Sequence, residues 1–74
     1  MNEREKQLEK YDRLKSKLKS EIPKRSISDF WYDSIKPACG ISYFHFSNIM
    51  RGRYDQERKD VIEVVDRYLG EDNG

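Results

Sequence analysis

The chain has 74 residues, 15 of them Lys or Arg and 14 Asp or Glu, for a formal net charge of +1. That length holds one small domain, and a mean hydropathy of -1.07 leaves no apolar run near the roughly 20 residues that a membrane helix needs. The first 20 residues alternate charge with Leu, which is not the pattern of a secretory leader, and a single Cys cannot form an internal disulfide, so the expected compartment is the cytoplasm. Charge is unevenly spread. Residues 1–25 carry nine Lys/Arg against five Asp/Glu, and residues 51–74 carry five against seven, so basic charge gathers at Arg13–Arg25 and again at Arg51–Arg53. Such a chain is no polycation, but it can present one basic face.

In chain order, Leu8, Tyr11, Leu14, Leu18 and Ile22 recur at steps of three and four, the stripe of an amphipathic helix over residues 1–22. Pro23 should stop it near Glu21. The C-terminal half of the stripe (Leu14, Leu18, Ile22) is expected on the domain core. Ser26 or Ser28 can cap a second helix that carries Ile27, Phe30, Trp31 and Ile35 at helical spacing. Pro37 should end or kink that helix near Ile35 or Lys36. Gly40 suits a left-handed turn, and Ser42 is a good cap for a third helix with Phe46, Ile49 and Met50 inward. Gly52 closes it. Asp55 is the expected cap of a last helix over residues 55–69, with Val61, Ile62, Val65, Tyr68 and Leu69 on one face and Gly70 as its stop. No strand pattern competes, so the expected fold is all-α, one four-helix domain over residues 1–74.

The most specific stretch is Gly40-Ile41-Ser42-Tyr43-Phe44-His45-Phe46-Ser47-Asn48-Ile49-Met50-Arg51-Gly52. Its order of turn glycine, aliphatic, capping serine, apolar, serine, aliphatic and closing glycine resembles the helix-turn-helix of the lambda-repressor-like (phage repressor, Xre-type) DNA-binding family, over residues 27–51 with a following helix packing back on the pair. Lys36 departs from that pattern, because the residue four before the turn glycine is a small Ala in many such sequences, and Pro37 falls in the last turn of the bracing helix. The resemblance implies a transcriptional regulator of phage or mobile-element type that inserts Ser42–Arg51 into the major groove of double-stranded DNA, alone or as a homodimer.

The physical reading runs beside the name. Two helices joined by a sharp turn can stand the second in the groove. Ile35, Cys39, Ile41, Phe46 and Ile49 then face inward, and Tyr43, Phe44, His45, Ser47 and Asn48 face outward. Asn48 can take an adenine bidentately, Ser47 either base, and Phe44 or Tyr43 a thymine methyl. Arg51, Arg53, Lys24 and Arg25 would meet phosphates. This expectation depends on Ser47 and Asn48 facing solvent. The competing reading is a protein-interaction adaptor that uses the Tyr43/Phe44 face or the N-terminal helix. Nothing in the chain has the spacing of a catalytic, phosphate-cradling or metal motif, so no enzyme, cofactor, metal or small-molecule substrate is expected.

Overall fold

A computed structural model describes residues 3–53 and 58–70. All regular structure among them is helical. Helix α1 is Glu3–Lys19. Helix α2 covers residues 27–39 and contains three consecutive pieces, α-helical Ile27–Phe30, a wide π turn over Trp31–Ile35, and α-helical Lys36–Cys39. Helix α3 is Tyr43–Met50 and helix α4 is Lys59–Leu69. The all-α, four-helix expectation therefore holds.

Each helix contributes three side chains to one core: Tyr11, Leu14 and Leu18; Ile27, Phe30 and Ile35; Phe46, Ile49 and Met50; Val61, Ile62 and Val65. Phe30 sits at the centre, its ring 6.2 Å from that of Phe46 and 5.0 Å from that of Tyr68. Burial of such side chains supplies the main favourable free energy of folding, about 1.5–3 kcal/mol for each of the larger ones.

Local signals explain most boundaries. Ser26 caps α2 by accepting from the Asp29 amide at 3.2 Å, while Asp29 accepts from the Ser26 amide at 2.9 Å, a reciprocal capping box. Pro37 does not end α2. The Lys36 amide reaches back five residues to the Trp31 carbonyl, and this wide turn lies directly before the proline, where a regular ladder would drive its ring against the Asp33 carbonyl. The helix widens and continues. Gly40 then takes the left-handed conformation (φ 67°) and turns the chain into α3.

Two expected boundaries move. Helix α1 ends at Lys19 instead of near Glu21, with the Ser20 hydroxyl donating to the Lys17 carbonyl at 2.7 Å. Ile22 therefore leaves the helical stripe and stands fully exposed, not on the core. Helix α4 begins at Lys59 with Arg58 in the cap position. The cap expected at Asp55 lies outside the described residues.

Three polar contacts fasten α1 and the following link to α4. Lys10 Nζ lies 2.6 Å from Asp66 Oδ1, a charge contact without the geometry of a directed hydrogen bond. Lys17 Nζ donates to the Tyr68 carbonyl at 2.6 Å, and the Tyr68 hydroxyl donates to Glu21 Oε2 at 2.6 Å. Burial and the bond to Glu21 push the Tyr68 phenol up to about 12. The folded state thus holds this proton more tightly than the unfolded chain, whose tyrosine titrates near 10.0. The associated stability is present below pH 10 and is lost as pH rises from 10 through 12. Urea unfolding of Tyr68→Phe should show a loss of about 1 kcal/mol at neutral pH and a flatter decline between pH 10 and 12 than the parent; an unchanged alkaline slope would contradict the bond.

The C-terminus of α3 closes in a Schellman turn. The Gly52 amide donates to the Ile49 carbonyl at 3.0 Å and the Arg53 amide to the Asn48 carbonyl at 3.1 Å, with Gly52 left-handed at φ 68°. A side-chain carbon at Gly52 would also meet the Arg4 backbone at 3.1 Å, whereas Gly40 faces open space. In thermal unfolding Gly52→Ala should therefore destabilise by more than about 1 kcal/mol and by more than Gly40→Ala; equal losses would mean that α1 does not press on this turn.

Candidate nucleic-acid interface

Helix α3 begins on a prepared turn. The Ser42 hydroxyl accepts from the His45 amide at 3.0 Å, and the Trp31 indole donates to the Ile41 carbonyl at 2.8 Å. The second bond ties the turn to α2 and fixes where the first residues of α3 stand. Cys39 and Ile41 pack half-buried against the core beneath it.

The first turn of α3 projects. Phe44 is 73% exposed and Tyr43 41%, and His45 is half-buried. The second half does not project: Phe46, Ser47, Asn48, Ile49 and Met50 are all buried. Successive helical residues step by about 100°, so five in a row leave no side of the helix open at that level. On one side α1 reaches over its end, where Gln7 Nε2 donates to the Ile49 carbonyl and Arg4 Nε to the Gly52 carbonyl, each at 3.3 Å.

This corrects the sequence reading at two of its base-reading positions. Ser47 (8% exposed) and Asn48 (7%) are buried, not outward-facing. The surrounding segments close over the polar side of α3, so neither side chain can meet a base edge while this packing lasts. Insertion of the whole span Ser42–Arg51 does not fit this arrangement.

Arg25 is a second correction. Its guanidinium donates to Glu21 Oε1 at 3.2 Å and to Asp33 Oδ2 at 3.1 Å. It braces the link against α2 and has little left to offer a phosphate. The Tyr68 bond, helped by Arg25, keeps the Glu21 carboxyl below its ordinary value, although partial burial opposes the shift. Lys24, Arg51 and Arg53 are exposed. Arg51 follows α3 directly, about 12 Å along the axis from Tyr43.

Three residues join the site that sequence reasoning had not assigned to it: Trp31, Tyr32 and Lys36. Tyr32 is 62% exposed, and its ring lies edge-on to Trp31 at 6.2 Å, while Trp31 lies edge-on to Tyr43 at 6.1 Å. Exposed Lys36 sets its ammonium 5.7 Å from the Trp31 ring centre and 5.1 Å from that of Tyr32. Tyr32, Trp31 and Tyr43, with Phe44 next in the chain, thus form an aromatic ridge with a cation on it. The i,i+4 pair of Tyr32 and Lys36 was a visible signal.

Burial, reinforced by Asp60, raises the Cys39 thiol above its ordinary value, and Arg58 hydrogen-bonds the neighbouring Asp60 carboxyl, which falls to about 2. Among the described residues no group of three His, Cys, Asp or Glu side chains is placed to hold a metal ion, and no helix is long and apolar enough to cross a membrane. No family model, curated protein or solved structure matches the chain.

The burial pattern makes opposite demands on neighbouring aromatics. Phe46→Ala should cost about 3–5 kcal/mol, and Phe44→Ala within about 0.5 kcal/mol of zero, both by urea unfolding. A large loss from Phe44→Ala would mean that the ridge belongs to the core.

Proposed function

We propose that the chain is a non-catalytic DNA-binding module, a regulator of phage or mobile-element type, that engages the duplex with the first turn of α3 and not with the whole helix. The observation that carries this is the exposed Tyr43/Phe44 turn, set up by Gly40 and Ser42, with exposed cations at both ends: Lys36 on one side and Arg51 and Arg53 on the other. Groove-binding helices touch base edges mainly with their N-terminal residues, so a buried second half is compatible with docking. Lys24, Lys36, Arg51 and Arg53 would supply phosphate contacts. So few contacts from one copy favour a dimer or adjacent sites for useful affinity.

The test is fluorescence anisotropy with mixed-sequence duplexes. Four phosphate contacts predict an affinity that falls about 100-fold from 50 to 200 mM salt, and Arg51→Ala with Arg53→Ala should reduce the logarithmic salt slope by about 2. Absence of duplex binding at low salt would overturn the proposal.

A second reading draws on the ridge itself. An exposed Tyr32, Tyr43 and Phe44 cluster around Trp31 has the composition of a protein-binding hot spot, and the inward turn of Ser47 and Asn48 makes that surface more aromatic than the sequence suggested. A protein adaptor would show this ridge without salt-dependent affinity for DNA.

A further inference from the structure

We infer that α3 selects among duplexes by the 5-methyl group of thymine, read by Phe44 with Tyr43, and not by hydrogen bonds to base edges. This rests on the DNA-binding reading above and specifies what that site recognises.

The argument starts from which groups remain available. Of the side chains expected to bond base edges, Asn48 could have taken an adenine bidentately and Ser47 either base, and both are buried, while Arg51 and Arg53 are assigned to phosphates. His45, in the same first turn, is half-buried. The most exposed side chain of α3 is Phe44, at 73%. A phenyl ring has neither donor nor acceptor, so among the features of the major groove it gains by covering only the thymine methyl. Set against a G·C pair, the same ring would cover the N7, O6 and N4 groups, strip their water and return no hydrogen bond. The choice of A·T over G·C thus comes from attraction to a methyl and from the cost of the wrong edge together.

Tyr43 supports the same choice. Its ring leans edge-on against Trp31 at 6.1 Å, and Trp31 is anchored by its 2.8 Å bond to the Ile41 carbonyl. The ring is held before any ligand arrives, so less conformational entropy is lost on contact. Its hydroxyl is the one polar atom on the two leading side chains.

The test uses three versions of one A·T-rich duplex: thymine-containing, the same with every thymine replaced by uracil, and the uracil duplex with 5-methylcytosine in place of cytosine. Affinities are measured by anisotropy at low salt for the parent and for Phe44→Ala, whose exposed site should leave the fold intact. Removing the methyls should weaken parent binding about fourfold for each one covered, and 5-methylcytosine should restore part of the loss. Phe44→Ala should lose most of the difference between the thymine and uracil duplexes and keep its salt dependence. Equal parent affinity for the thymine and uracil duplexes, with binding retained, would overturn methyl recognition and leave the DNA-binding reading intact. No binding to any of the three would overturn both.

Discussion

The burial of Phe46–Met50 on every side of α3 is the constraint on which the remaining organisation depends. An eight-residue helix has little stability of its own, so α3 exists because its second half is packed by α1 and by the π turn of α2 and closed by the Schellman turn at Gly52. The same packing settles which part is accessible. The root of the helix is committed to the fold, and the tip, at Tyr43 and Phe44, is what a partner can touch. The indole bond from Trp31 to the Ile41 carbonyl sets the direction of that tip. Stability and exposed aromatic surface are therefore divided along one short helix.

Much of this was legible from residue order. A cap at Ser26 or Ser28, the Ser42 cap, the left-handed Gly40, the stop at Gly70, and the inward Ile35, Phe46, Ile49 and Met50 follow from spacing and from the chemistry of turns. Local rules suffice there because each signal is satisfied within a few residues of itself.

The miss at Ser47 and Asn48 has a long-range cause, a distant segment covering what the local pattern left open, and the others arise from close neighbours. Ser47 and Asn48 read as solvent-facing because they are polar and lie off the apolar stripe of α3. Periodicity along one helix gives no view of what covers the other side. Arg25 looked like a phosphate clamp until Glu21 and Asp33 took its guanidinium. Ile22 continued the α1 stripe in sequence, but the helix had already ended, and the helical phase ended with it. Pro37 met a different outcome, because a π turn let the helix absorb a residue that usually stops one. Tyr32 had been given no role and Lys36 had been noted only as a departure from the helix-turn-helix pattern, although both meet the half-buried Trp31 ring.

What remains is a small fold that holds an aromatic tip between cations, with Ser47 and Asn48, the polar residues expected to read bases, folded away. The most direct measurement of that account is a footprint: amide and side-chain NMR shifts of the 15N-labelled chain during titration with duplex DNA. The account predicts changes at Lys36, Tyr43, Phe44 and Arg51–Arg53, while the Asn48 side-chain amide keeps its free-state shift and its slow solvent exchange. A footprint centred on α1 or α4, or an Asn48 side chain that moves into contact with the DNA, would contradict it.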